Sequence, residues 1–196
     1  MMDEPVTTLK IQTLGRFSIN RDGKPVATDW PDESLKVFFC SLLSPLDLYF
    51  SWDRICRSMW EIPTVSISKH QLKERFLRPL GMFLVKELGF NPLIEDPEGI
   101  RIDRQGVHVD AREFYSTVLE GLRLSSFADN SAAREKFNRA NVLYTGSYLP
   151  GIPGKITENA RRDLEALYRT AVMDAISLSW NSCASKGNRK SEHTSH

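Results

Sequence analysis

Apolar and polar positions alternate with a period of two in the N-terminal part of the chain, a pattern typical of short strands. The apolar positions are Leu9, Ile11, Leu14, Phe17 and Ile19. The second run leads into Asp22-Gly23, which favours a tight hairpin turn because both central residues of a type I′ turn need positive φ. Lys24-Pro25-Val26 then begins a further strand. We therefore predict a small antiparallel sheet at this end of the chain.

Helical spacing replaces the alternation after Asp32, whose carboxylate favours a helix N-terminus. The first predicted helix begins near Glu33 and ends before Pro45, and a second covers residues 52–60 after the N-cap Ser51. The aromatic residues of this region are interpreted as core rather than as a platform for stacking bases. They are Trp30, Phe38, Phe39, Trp52 and Trp60.

A third helix is predicted from the capping-box spacing of Ser68 and Gln71, and it ends at Gly89. Its buried stripe is expected to consist of Leu72, Phe76, Leu80, Phe83 and Leu84. Pro79 lies inside this helix and has no amide hydrogen to donate. The sequence therefore predicts a kink or a restart at Arg78-Pro79.

The pattern of apolar residues becomes typical of strands again after Gly89. Leu93-Ile94 and the run from Ile100 to Ile102 flank a predicted turn, Asp96-Pro97-Glu98-Gly99, and Val107 and Val109 alternate afterwards. Three helices followed by a β-hairpin form the architecture of a winged helix. We predict this domain over residues 1–109.

The rest of the chain has the pattern of an all-helical segment. Asp110 with Glu113 and Thr157 are the predicted caps of two of its helices, and Ser131 is predicted to start the helix between them. The helical hairpins suggest the tetratricopeptide type, although no clean repeat is present. Residues 110–180 are predicted as this second domain, and residues 181–196 as a disordered tail. The expected fold class is α+β: an N-terminal winged helix with small antiparallel sheets, then an all-α tetratricopeptide-like segment.

LKIQTLGRFSI (9–19) with DGKPV (22–26) resembles the opening of the antibiotic-regulatory-protein class of bacterial transcriptional activators. PEGIRI (97–102) with VHVDAREF (107–114) looks like its wing and the junction that follows. YTGSYLPG (144–151), followed by Arg162, Leu164, Leu167 and Tyr168, resembles the start of the bacterial transcriptional activator domain. The resemblance implies an OmpR/PhoB-type winged helix that binds DNA, followed by a partial activator domain.

Composition and motif content limit the classes of function that this chain could have. The formal net charge is +1, so DNA binding would depend on how the charge is distributed. No His-Glu-x-x-His, glycine-rich phosphate loop or G-x-S-x-G motif is present, and we expect a protein that is not an enzyme and needs no cofactor or metal. The three cysteines form no C-x-x-C pair. The acidic N-terminus and the lack of a long apolar run lead us to expect a cytoplasmic protein.

The candidate DNA-binding residues cluster on the third helix. Gln71, Arg75 and Arg78 fall opposite its apolar stripe, and their side chains suit base edges in the major groove. Lys69 and Lys73 are predicted phosphate contacts. Between residues 69 and 87 the cations Lys69, Lys73, Arg75, Arg78 and Lys86 exceed the acids Glu74 and Glu87 by five minus two, or three.

Arg101 and Arg104, on the far strand and exit of the predicted wing, have two interpretations. They reach phosphate or the minor groove, or they pair with Asp103 and Glu98. The predicted function is a transcriptional regulator that binds double-stranded DNA, with the helical segment contacting RNA polymerase or a second copy of the chain. The alternative is a winged helix without DNA binding that acts as a protein-interaction module, which the acidic residues Glu95, Asp96 and Glu98 favour.

Overall fold

The computed structural model describes residues 8–26, 29–58 and 67–177. The strands are β1 (Leu9–Gln12), β2 (Ser18–Arg21), β3 (Lys24–Pro25), β4 (Phe50–Ser51), β5 (Leu93–Glu95), β6 (Gly99–Ile102) and β7 (Val107–Val109). The helices are α1 (Glu33–Leu42), α2 (Trp52–Ser58), α3 (Lys69–Leu72), α4 (Arg78–Leu88), α5 (Asp110–Ser126), α6 (Asn130–Leu143) and α7 (Lys155–Leu167). A first π-helical turn (Lys73–Leu77) joins α3 to α4, and a second (Tyr168–Met173) follows α7.

The N-terminal sheet has the strand order β3-β2-β1-β7. The β2–β3 hairpin turns at Asp22 and Gly23, whose φ values of 49° and 80° are both positive, as the sequence predicted. The strand β7 pairs with β1 in parallel, with Leu9 opposite Val107. The sheet was therefore predicted at the correct position in the chain but without its fourth strand, β7, which follows the wing in the sequence.

A second sheet, of order β4-β6-β5, contains the predicted hairpin. We call residues 93–102, with the turn at Asp96–Glu98, the wing. The short strand β4 was not predicted, and it pairs with β6 through Phe50 opposite Ile100. Gly99 permits this pairing, since a Cβ there would lie 2.2 Å from the carbonyl oxygen of Phe50.

The α+β fold class is confirmed: a winged helix with small sheets precedes a helical segment. Asp32 caps α1, and the amide of Arg54 bonds the Ser51 hydroxyl at the start of α2. The predicted end of α2, at Met59 and Trp60, and the predicted disordered tail, residues 181–196, lie outside the described residues. No helix in the described part of the chain is both long and apolar enough to span a bilayer.

Two predicted caps of the helical segment, Asp110 and Thr157, were wrong, and α6 begins at Asn130, one residue before the predicted start at Ser131. The helix α5 has Val109 at its N-cap, α6 has Asp129, and α7 has Gly154. Asp110 does not cap α5 because its carboxylate accepts hydrogen bonds from the Thr13 amide, the Thr13 hydroxyl and the Leu14 amide, at 2.7, 2.6 and 3.0 Å.

Two hydrophobic clusters hold the molecule together. The first is centred on α1, α4 and the second sheet, with Phe38, Phe39 and Leu84 fully buried. The second lies among α5, α6 and α7 but also contains Leu14 and Cys40 from the N-terminal half. The helical segment therefore packs directly on the winged helix. The cysteines Cys40 and Cys56 are both buried and unpaired.

Candidate nucleic-acid interface

The third helix of the winged helix is a composite of α3, the first π-helical turn and α4, residues 69–88, and we call it the composite helix. It begins at the predicted capping box, in which the Ser68 hydroxyl accepts from the Gln71 amide and the Gln71 side chain accepts from the Ser68 amide. It ends at Gly89, where φ is +79°. All of the predicted stripe is buried: Leu72, Phe76, Leu80, Phe83 and Leu84.

The π-helical turn explains how the composite helix accommodates Pro79. The amide of Arg78 bonds the carbonyl of Lys73, five residues back, and α hydrogen bonding restarts at Arg78 with proline in the first turn of α4. The restart of α hydrogen bonding at Arg78 agrees with the prediction, but the backbone dihedrals at Leu72, Lys73, Leu77 and Arg78 are all helical, so the chain does not leave the helix at these junctions. Phe76 and Leu77, which are adjacent in this wide turn, are both buried.

Lys69 and Lys73 face the wing. The Lys69 ammonium donates to the Pro97 carbonyl at 3.0 Å, and the Lys73 ammonium lies 2.7 Å from the Glu95 carboxylate. Both ammonium nitrogens also lie over the ring of Trp52, at 4.7 and 4.9 Å from its centroid. These two lysines therefore link the start of the composite helix, α2 and the wing.

Arg75 and Arg78 lie on the exposed face of the composite helix. Arg78 forms an ion pair of 3.0 Å with Glu74, one turn earlier. The Arg75 guanidinium carbon lies 6.0 Å from the Phe76 ring centroid, and it pairs with no carboxylate of residues 8–26, 29–58 or 67–177. Gln71 is also exposed, but its side-chain oxygen is engaged in the capping box.

The acidic residues of the wing have internal partners. Asp96 accepts hydrogen bonds from the amides of Glu98 and Gly99 at 2.9 and 2.8 Å and from the Tyr49 hydroxyl at 3.0 Å. Burial alone would raise the pKa of Asp96, but these bonds and the charge of Arg101 lower it overall. Glu95 pairs with Lys73. Asp96 therefore shapes the turn of the wing, and Glu95 holds the composite helix against the wing.

The structure separates Arg101 from Arg104. Arg101 is half-buried on β6, with Ile94 as its register partner, and remains part of the wing. Arg104 borders a groove with Val107 and Arg112, and no residue of the composite helix borders that groove. Neither arginine pairs with Asp103 or Glu98 within the described part of the chain.

Sequence reasoning missed the position of Trp52 beneath the two lysines. Its indole nitrogen donates to the Asp96 carbonyl at 3.1 Å, so the ring is fixed by the wing. The helical spacing of Trp52 correctly indicated burial, but a contact between residues so distant in sequence leaves no local pattern. Glu74, on the exposed face beside Arg78, was counted only as a charge.

No protein-family model matches the chain, and no curated protein matches it. A solved structure that is similar is Mycobacterium tuberculosis EmbR in complex with a low-affinity phosphopeptide, with a TM-score of 0.59 and 17% identity. The match covers 85% of this chain and 43% of the EmbR chain, so the chain spans less than half the length of that protein. At this identity the likeness shows a shared fold over the matched part of the two chains.

Proposed function

We propose that this chain binds double-stranded DNA through the exposed face of the composite helix and acts as a transcriptional regulator. The observation that carries the proposal is the pair Arg75 and Arg78 on that face of a winged-helix third helix. Arginine bonds the O6 and N7 atoms of guanine in a bidentate manner, the commonest specific contact in the major groove. Arg75 is the stronger candidate because it has no carboxylate partner among the described residues.

The lysines have a different role in this proposal. Lys73 forms an ion pair with Glu95, and its ammonium group lies over the Trp52 ring. We therefore assign Lys73 to positioning the wing rather than to binding a phosphate. Lys69 lies at the N-terminus of the composite helix, and its ammonium makes its polar contact with a neutral carbonyl. It therefore retains a charge that can meet a phosphate near the helix N-terminus.

A single winged helix offers few base contacts, so we propose that two copies bind two half-sites. The helical segment would then mediate contact with a second copy or with RNA polymerase. This assignment rests on the resemblance described above and on the all-helical architecture of α5 to α7.

The test is a fluorescence-anisotropy titration of specific and scrambled duplexes at several salt concentrations. The Arg75→Ala change is expected to cost about 1–3 kcal/mol on the specific duplex and to relax preference at one base position. Lys69→Ala should weaken both duplexes alike and lower the slope of log K against log salt by about one. Lys73→Ala should leave that slope nearly unchanged. Arg134→Ala, an exposed arginine on α6, is the matched control.

The variant Glu74→Gln tests the exposed face of the composite helix by a gain rather than a loss of binding. It removes a negative charge from the exposed face and releases Arg78 from its ion pair. We expect tighter DNA binding at low salt, with the gain shrinking as salt screens the face. Weaker binding by Glu74→Gln, or wild type that binds no duplex in a salt-dependent way, would contradict the proposal.

A specific observation favours the alternative function as a protein-interaction module. Met82 and Val85, on the same composite helix, are 70% and 50% exposed beside Lys86 and Arg78. Apolar side chains in this position suit a protein surface rather than phosphate. If DNA binding is absent while Met82→Ser and Val85→Ser abolish capture of a purified partner, the interaction module replaces the regulator.

A further inference from the structure

A groove of about 480 Å³ lies where the winged helix meets the helical segment. One wall comes from the connection between α1 and β4, another from β7, and the third from the outer face of α5. Its apolar lining includes Leu46, Leu48, Tyr115 and Leu119, of which Leu48 and Leu119 are 44% and 45% exposed. A volume of this size is ordinary for a site that holds a small organic molecule.

Arg112 gives the groove a cation that has no carboxylate partner among the described residues. Its Nη2 donates to the carbonyl of Leu42 at 3.2 Å, while its Nε is buried and has no hydrogen-bond partner among the described residues. Burial lowers the pKa of Arg112; its interaction with Tyr148 raises it in part, and the charge of Arg104 lowers it again. Among the described residues the Arg112 guanidinium thus has a neutral carbonyl as its hydrogen-bond partner and forms no ion pair.

Arg104 lies on the rim of the same groove. It is exposed and close enough to Arg112 to interact with it electrostatically. The carboxylate that also borders the groove, Glu113, is already paired with Arg139 and His108. Arg104 and Arg112 thus border an apolar groove, and neither pairs with a carboxylate in the described part of the chain.

We propose that this groove binds an organic carboxylate with an apolar body, its carboxylate on Arg112 and Arg104 and its body against Leu46, Leu48, Tyr115 and Leu119. A carboxylate matches the planar fork of a guanidinium, and an apolar body removes the exposed leucines from water. A bound anion also compensates the buried charge of Arg112, which is costly without one. Because the walls come from both halves of the molecule, such a ligand bridges them.

The test is an NMR chemical-shift titration of the full chain with octanoate, with octan-1-ol as the neutral counterpart and inorganic phosphate as the anion without an apolar body. Octanoate should shift the signals of Leu46, Tyr115 and Leu119. Arg104→Gln, an exposed change, should weaken octanoate binding about threefold, and Arg112→Gln about tenfold or more. Arg134→Gln, whose side chain does not border the groove, is the control for the loss of one positive charge.

Thermal unfolding of each variant separates a lost site from a lost fold, and Arg104→Gln keeps the test valid if Arg112→Gln is destabilised. Octanoate shifts at these residues that Arg104→Gln weakens, with little response to octanol, support the proposal. Equal affinity for octanol and octanoate, binding of phosphate alone, or no shifts at the lining residues overturns it. DNA is absent from every arm, so failure here is distinct from failure of DNA binding.

Discussion

Glu113, in the first turn of α5, receives two basic side chains from different elements. Arg139 of α6 donates to one carboxylate oxygen, and His108 Nε2 of β7 lies 2.7 Å from the other. Burial alone raises the pKa of Glu113, but its hydrogen bonds with Arg139 and His108 and their electrostatic interactions lower it overall. A lowered pKa in the folded state means that ionised Glu113 stabilises the fold.

This stabilisation is present above the unfolded-state pKa of about 4.3 and is lost as the pH falls through the lower folded-state value. Glu113→Gln should therefore reduce the free energy of unfolding most at neutral pH, and the difference from wild type should shrink below about pH 4. Urea unfolding at both pH values measures this. Glu135→Gln, an exposed change on α6, controls for the loss of one charge. A difference that stays constant or grows in acid would contradict the expectation.

For single residues, the sequence predicted which side chains are exposed better than it predicted the residues they contact. Helical spacing correctly placed Gln71, Arg75 and Arg78 on the exposed side of the composite helix. It could not show that Lys73 meets Glu95 or that Lys69 meets Pro97, because those contacts depend on how the wing folds back over α3. Which of the cations remain available to a ligand was therefore beyond sequence reasoning.

At the scale of elements, the composite helix shows how a proline is tolerated inside a helix. In a regular α-helix the amide of residue 79 would donate to the Arg75 carbonyl, and a proline there costs about 3 kcal/mol or more. Here the wide turn at Lys73–Leu77 precedes Pro79 and places it in the first turn of α4. The proline is thus in a position where its missing amide hydrogen is of little consequence.

We expect Pro79→Ala to change the free energy of unfolding by less than about 1 kcal/mol, because the native backbone already suits proline and the main effect is on the unfolded chain. Chemical denaturation measures the change. Arg134→Pro, past the first turn of α6, should cost about 3 kcal/mol or more and shows what a proline costs where the helix does not accommodate it. A gain of several kcal/mol from Pro79→Ala would mean that the proline strains the composite helix.

Elements with local signals were predicted well, and elements formed by distant pairing were not. The caps Asp32, Ser51 and Ser68 act within a few residues, and each was identified correctly. The strand β4 is two residues long and exists through its pairing with β6. The parallel pairing of β1 with β7 likewise joins segments nearly a hundred residues apart. Asp110 and Thr157 have cap-forming side chains, but tertiary contacts and burial determined their positions.

At the scale of the molecule, the connection between α6 and α7 ties the helical segment to the N-terminal sheet. Residues 145–154 are rich in glycine and proline, yet Tyr148 and Leu149 within them are fully buried. The amide of Leu149 bonds the Thr13 carbonyl at 2.7 Å, and Tyr148 forms a β-bridge with Leu14. Asp110 adds its bonds to Thr13 and Leu14 from the other side. The end of β1 is thus held by two parts of the helical segment.

Arg161 of α7 organises this connection. Its Nε donates to the Tyr148 carbonyl at 2.8 Å, and its Nη2 donates to the carbonyls of Leu149 and Ile152 at 2.7 and 2.9 Å. Arg161→Ala leaves these carbonyls without their donors, and we expect a loss of about 2–3 kcal/mol in the free energy of unfolding. Arg162→Ala is the matched control, because that neighbouring side chain is 74% exposed, and we expect it to change stability by less than about 0.5 kcal/mol.

The same variant tests whether the two halves unfold together. Tryptophan fluorescence, recorded in a Trp180→Phe background, follows the N-terminal half, while far-UV circular dichroism follows all helices. Because the second hydrophobic cluster contains Leu14 and Cys40 as well as residues of α5 to α7, we expect one cooperative transition with coincident midpoints. Arg161→Ala should lower both midpoints equally, since the connection that Arg161 holds is itself bonded to Thr13 and Leu14 of the N-terminal half. A circular dichroism transition that moves while the fluorescence transition stays in place would show that the halves unfold independently.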